Sequence, residues 1–294
     1  MILLPWVNKL SKKHILLILF VMFLLGSAYP AAKLGINASI PPILFGAIRM
    51  AIVFICLVPF LKFKLPNKKY LLPLFCFSFS MGVGVNLFLY LSVNVSNILS
   101  PLVIGAQLSV PLGIIFSSIF LRESISYKKW ILIVTSFLGI ILIGFDPKIA
   151  DEILGFLLIC GMAFFYASAQ IFSRYLKELD VKFTNAFMGV VASITLLILS
   201  IFFEGNTISH LINLNLEAWL MVLHAGVLCS LIGHMSMFYL YKFYPVGQVL
   251  PFYALFPVFG MILSFLIFGE IPTLIIIIGG IIVITSVFLL QKIR

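Results

Sequence analysis

The chain has 294 residues, 63% of them hydrophobic and 10% charged, with a mean hydropathy of +1.24 and a formal net charge of +10. A soluble domain is about half apolar and about a quarter charged, so this composition excludes a soluble enzyme or binding domain and requires an integral membrane protein. The excess of Lys and Arg admits nucleic acid or anionic lipid as a partner, and its placement along the chain decides between them.

A membrane-spanning helix needs roughly 20 apolar residues, and ten such segments follow one another. The first, 14–32, contains Tyr29 and Pro30 and ends at Lys33. It lacks an A-x-A cleavage pattern and reads as a retained span, not a signal peptide. The second, 42–61, carries Arg49 about two turns in, and the third, 70–91, follows the break PNKKY and contains Asn86. The fourth, 98–120, holds Gln107 and Pro111 and runs into PLGIIFSSIFLRE, ending at Glu123. The fifth covers 130–146, and DPKIADE then separates two halves. The sixth, 153–173, contains Tyr166 and Gln170 and ends at Arg174. The seventh is 183–203, and the eighth, 217–241, carries His224 and His234. The ninth, 246–268, contains Tyr253, Pro251 and Pro257 and runs into VFGMILSFLIFGE, ending at Glu270; the tenth is 273–291. Ten spans with short connections use nearly the whole chain.

Gly113, Ser117 and Glu123 recur as Gly260, Ser264 and Glu270, with the same Gly-x3-Ser-x5-Glu spacing 147 residues later. Lys33 and Arg174 echo one another at the ends of the first and sixth segments. The chain therefore reads as one five-span unit used twice, over 1–147 and 148–294. Five is odd, so the second copy must be inverted, which is the architecture of an alternating-access transporter. With the N-terminus inside, 16 of the 19 Lys and Arg residues fall in the inner loops, Lys33 and Lys148 fall outside, and Arg49 lies within a span. The positive-inside rule then puts both termini in the cytoplasm. The cations are topology signals facing anionic lipid, which removes nucleic acid as a partner.

Polar residues inside apolar helices carry the remaining information. Arg49 is too deep to be a loop residue. It is either a cationic docking point for a carboxylate or phosphate, or a structural partner for helix-end carbonyls or the interface. No Asp or Glu lies within the middle of a span, which disfavours a cationic drug and proton exchange through a membrane carboxylate. His224 and His234 could relay a proton or hold a solute, or simply hydrogen-bond between helices. Asn86, Gln107, Gln170 and Gln248, with Tyr29, Tyr166, Tyr239 and Tyr253, suit a cavity for a zwitterionic or polar neutral solute, or interhelical bonding. The small stripes Ser109–Gly113–Ser117 and Gly260–Ser264 read as close-packing surfaces. Pro30, Pro111, Pro251 and Pro257 should bend or break helices where neighbours satisfy the freed carbonyls. Cys56, Cys76, Cys160 and Cys229 read as reduced, buried hydrophobes with no metal or disulfide role. No H-E-x-x-H, G-x-S-x-G or phosphate-binding glycine loop is present, so neither an enzyme nor a cofactor is expected.

The segments GSAYPAAKLG, PPILFGAIRM with Arg49, FLRE and IFGE at Glu123 and Glu270, YASAQIFSR and LPFYALFPVFG resemble the drug/metabolite transporter superfamily in its ten-helix EamA branch. The resemblance covers essentially the whole chain. It is similar in particular to amino-acid metabolite exporters of that branch, which release cysteine-pathway compounds such as O-acetylserine. Such members often carry Trp where Leu25 and Tyr166 stand here. The resemblance implies an all-α fold of ten transmembrane helices and a secondary transporter. It would move a small polar metabolite, an amino acid or close relative, outward across a bacterial cytoplasmic (inner) membrane. The candidate site residues are Arg49, Tyr29, Asn86, Gln107, Tyr166, Gln170, His234 and Tyr253. An importer or exchanger of another metabolite, for example a nucleotide-derived one, and a non-transporting scaffold remain as alternatives. The working unit is expected to be a monomer or homodimer.

Overall fold

The computed structural model describes residues 11–61, 66–240, 243, 244 and 249–293. Among these residues ten helices are long and apolar enough to cross a membrane. They are α1 (Lys12–Asn37), α2 (Pro42–Phe60), α3 (Lys68–Val95), α4 (Ser100–Leu121) and α5 (Tyr127–Gly144), then α6 (Ile153–Tyr175), α7 (Val181–Phe203), α8 (Leu216–Met237), α9 (Pro251–Phe268) and α10 (Leu274–Lys292). Among the described residues there is no strand, as expected where every backbone group must be satisfied within its own segment.

The helix ends follow local chemistry. Ser11, Ser126, Asp180, Asn215 and Thr273 each accept a backbone N–H in the first turn of α1, α5, α7, α8 and α10, the usual way to satisfy an orphan donor. α4 and α9 end at residues with left-handed backbone, Arg122 (φ 56°) and Gly269 (φ 67°), which are the same position in the two motif copies. α1 extends past the expected end at residue 32 to Asn37 and runs through Pro30, so this proline does not break its helix.

The halves pack as an inverted repeat would. α1 packs on α8 and α9, while its counterpart α6 packs on α3 and α4; α2 packs on α7 and α5 on α10. Exchanging the halves maps each of these contacts onto another of them. The irregular turns also recur. The helix widens at Ser78–Gly84 in α3 and at His224–Gly233 in α8, and it tightens at Ala106–Leu108 in α4 and at Leu250–Leu255 in α9. Prolines explain the tight turns. Pro257 has no N–H to offer the Tyr253 carbonyl one turn earlier, and that carbonyl instead accepts the Phe256 N–H, with the Gln107 amide as a second donor at 3.3 Å.

The bundle has two chemically different ends. At one, Lys69, Tyr70 and Glu178 join the start of α3 to the α6–α7 connection, Arg174 meets Glu123, and Lys182 lies over the Phe60 ring. This is the basic end, where Lys68, Arg122, Lys128 and Lys177 also lie. The other, acidic end carries Asp146, Glu152, Glu204 and Glu270. Because α4 starts beside Glu270 and ends beside Arg174, it runs opposite to α9. Of the four cysteines only Cys229 is fully buried, its thiol on the Leu24 carbonyl at 3.1 Å; Cys56, Cys76 and Cys160 are half-buried, contrary to expectation, because their helices have a lipid-facing side.

Candidate functional site: a cavity open at the basic end

A cavity of about 670 Å³ lies between the halves. Its rim carries Glu123, Lys129 and Arg174, and it reaches inward to Tyr29, Arg49 and Leu89. Beyond these, buried Leu44, Phe45, Tyr90, Val93 and Leu99 form a packed core, with the Phe45 and Tyr90 ring centroids 4.6 Å apart. A second pocket of about 300 Å³, between α2, α3, α6, α7 and α8, shares Arg49, Tyr166, Gln170 and His234 with it.

Seven of the eight candidate residues line the main cavity: Tyr29, Arg49, Gln107, Tyr166, Gln170, His234 and Tyr253. Asn86 lines only the smaller pocket and braces Arg49. Tyr239 lies outside the cavity, exposed and in edge-to-face contact with His14 and Phe243. Gln248 falls outside the described residues. His224 is at neither pocket; its Nε2 is 2.8 Å from the Ser27 hydroxyl, a helix–helix contact.

Arg49 neither reaches an interface nor binds helix-end carbonyls. Its Nε donates to Ser230 Oγ at 3.0 Å, and its Nη1 donates to Tyr90 OH at 2.9 Å and to Asn86 Oδ1 at 3.3 Å. The widened turns place these partners. The Asn86 amide donates to the Gly82 carbonyl at 2.7 Å and the Ser230 hydroxyl to the Ala225 carbonyl at 2.8 Å, carbonyls of the two widened segments. Each partner is thus fixed by the backbone irregularity it satisfies, and both aim at one guanidinium. Nη2 has no hydrogen bond to a described residue, and Arg49 lines both the main cavity and the smaller pocket. Tyr90 and Ser230 were not singled out in the sequence, although Tyr90 is one turn after Asn86 and Ser230 one turn before His234.

His234 is oriented by the same residue. Its Nδ1 lies 3.0 Å from the Ser230 carbonyl, which can only accept, so Nδ1 carries a proton and Nε2 is the ring nitrogen that a further partner can use. Among the described residues lining the cavity the charged groups are Arg49, Lys129, Arg174 and Glu123. Arg174 Nη2 and Glu123 Oε1 are 3.4 Å apart and exposed, a pair worth at most about 1 kcal/mol. The cavity is therefore net positive, with its deepest charge a cation.

The twin motifs differ in their surroundings. Gly113, Ser117 and Glu123 all line the cavity, as does Ser109, so the stripe on α4 is not only a packing surface. Gly260 and Ser264 are buried away from it. A Cβ on Gly260 would lie 2.8 Å from Val103 Cγ1 and 3.3 Å from the Gly26 carbonyl oxygen, so here α9 does pack closely on α1.

The acidic end is closed by ionic side chains on backbone groups. Glu270 accepts the N–H groups of Leu99 and Ser100 at 2.8 and 2.9 Å. Glu152 accepts Asn97 N and Nδ2 at 2.9 and 2.8 Å, and Lys33 Nζ donates to the Val93 and Ser96 carbonyls at 3.2 and 2.5 Å. Glu204 accepts the N–H groups of Ile43 and Leu44 at the start of α2. Within this closure the Ser96 and Ser100 hydroxyls are buried without a partner among the described residues, at about 1–3 kcal/mol each.

Residues 12–145 and 153–291 each match the EamA-like transporter family. The chain belongs to that family. This EamA-like transporter is similar to the uncharacterized transporter YdfC of Bacillus subtilis (strain 168), at 27% identity over 188 residues, 62% of this chain and 60% of that one. The match thus spans about three-fifths of that curated relative. A solved crystal structure of a protein has a TM-score of 0.63 at 15% identity, covering 95% of this chain and 96% of the other, a likeness of fold alone.

Proposed function

We propose that this transporter moves a small metabolite bearing a carboxylate, an amino acid or cysteine-pathway compound, outward across a bacterial cytoplasmic membrane. The observation that carries the reading is Arg49: three bonds from Nε and Nη1 hold its guanidinium at the inner limit of a cavity that it lines and that is open at one end. A guanidinium edge matches a carboxylate, and a net positive cavity attracts anions and disfavours cations. His234 Nε2, the Gln107 and Gln170 amides and the Tyr29, Tyr166 and Tyr253 hydroxyls supply acceptors and donors for the rest of a zwitterion. The basic end is the cytoplasmic one by the positive-inside rule, so the cavity is loaded from inside, in keeping with export. The two halves alternate around Arg49, exposing it to one side at a time.

Counterflow in proteoliposomes tests this. Vesicles are loaded with a pool of unlabelled amino acids and O-acetylserine, and entry of single labelled compounds is followed. Accumulation of a labelled amino acid or of O-acetylserine, lost in Arg49→Ala, is the expected result. No accumulation of any of them by folded protein removes the amino-acid reading, and nucleotide-derived and sugar metabolites form the next panel.

A further inference from the structure

Both copies of Gly-x3-Ser-x5-Glu are present in one structure, in different environments. In the first copy Gly113 and Ser117 line the cavity, although a Cβ on Gly113 would meet the Gln170 side chain of α6, and Glu123 stands at the rim with the exposed Arg174 as its ionic partner among the described residues. In the second copy Gly260 and Ser264 are packed away, Gly260 against Gly26 of α1 and Val103 of α4. Glu270 there binds two backbone N–H groups at the start of α4. The Ser and Glu of one chemical sequence are thus seen open on α4 and closed on α9, at opposite ends of the bundle. An inverted repeat makes the two halves interchangeable in role, so the closed copy is a template for what the open copy becomes in the opposite state.

We infer that the two motifs are alternating latches, with Glu270 locking the acidic end in the present state and Glu123 locking the basic end in the other. When the cavity opens at the acidic end, Glu270 releases Leu99 and Ser100 and α9 parts from α1. Glu123 then leaves Arg174 and takes up backbone N–H groups at the closing basic end, as Glu270 does now at the other, while Ser117 closes against its neighbours as Ser264 does. The neighbouring cations follow the same exchange. Lys33 now clasps the carbonyls at the end of α3, whereas its counterpart Arg174 is exposed at the open rim, paired with Glu123. The Ser96 and Ser100 hydroxyls, without a partner among the described residues, fit a closure built to reopen, since water would satisfy both once the end opens.

The test needs no solute, so it stands or falls apart from the transport reading, on which only the latches' purpose rests. In a background with the four native cysteines replaced by alanine, Val110→Cys places a thiol in the cavity wall. A membrane-impermeant maleimide is then applied from the acidic-end side. Glu270→Gln is expected to raise the labelling rate about fivefold or more, because it weakens the lock on that end, while Glu123→Gln is expected to lower it, because it weakens the opposite lock. A rate unchanged within about twofold in Glu270→Gln, or a shift in the same direction for both variants, overturns the proposal. If Glu270→Gln does not fold, Lys33→Met is read instead. It removes the clasp on Val93 and Ser96 and must also raise the rate; an unchanged rate overturns the proposal.

Discussion

Arg49→Met keeps the side-chain length and removes the charge. A guanidinium–carboxylate contact largely shielded from water is worth about 2–4 kcal/mol when truncated, and each 1.4 kcal/mol is about tenfold in affinity. The apparent KM for a carboxylate solute in counterflow should therefore rise about 30- to 1,000-fold. The cost to the fold is smaller. Asn86 keeps its bond to Gly82, and Ser230 keeps its bond to Ala225. The buried Tyr90 hydroxyl, however, loses its donor, at about 1–3 kcal/mol. Tyr90→Phe is the control: it removes that hydroxyl and leaves the charge, so stability should change while transport largely survives. The reasoning fails if Arg49→Met transports within about threefold of the native chain, a margin of under 1 kcal/mol. It also fails if Tyr90→Phe impairs transport as severely, since Arg49 would then be a brace and not a docking group.

Gly26→Val should destabilise by about 1–3 kcal/mol, read as a lower thermal midpoint in detergent, because a Cβ there would lie 2.6 Å from the Phe256 carbonyl oxygen and 2.8 Å from the Gly260 nitrogen. The same assay should show opposite signs at one motif position. Gly269→Ala loses about 1 kcal/mol to its left-handed backbone, although nothing lies within 4 Å to clash, while Arg122→Gly gains a similar amount. In the α6–α7 connection, outside the spans, Glu178 accepts the hydroxyl of Tyr70 at the start of α3 and lies 3.7 Å from Lys69, and these hold its carboxyl below the ordinary carboxylate range. A carboxyl lowered by folding contributes stability above its unfolded value and loses it as pH falls through the folded one. Tyr70→Phe should move that midpoint upward in a carboxyl NMR titration, and an unmoved midpoint would remove the Tyr70 hydroxyl as its cause.

Much of the architecture was legible in the chain because a bilayer imposes its demands locally. Each span must be apolar over its own length, each inner loop must hold its own cations, and a duplicated unit keeps its spacing, so ten spans and the twin Gly-x3-Ser-x5-Glu motifs could be read without tertiary information. Arg49 stood out for the same reason, as a charge inside an apolar run. Its partners did not. Tyr90 and Ser230 are ordinary residues for such helices, and only the widened turns of α3 and α8, with Asn86 and Ser230 bonded to their carbonyls, bring them to the guanidinium. Hydropathy carries no mark of a widened turn, nor of the difference between Tyr253, which faces the cavity, and Tyr239, which does not. The two motif copies are alike as sequence, so nothing in the chain could say which lines a cavity and which is shut. That choice belongs to contacts between helices far apart in sequence, Gly26 against Gly260 and Glu270 on the start of α4, and it exists only in a folded state that has taken one side.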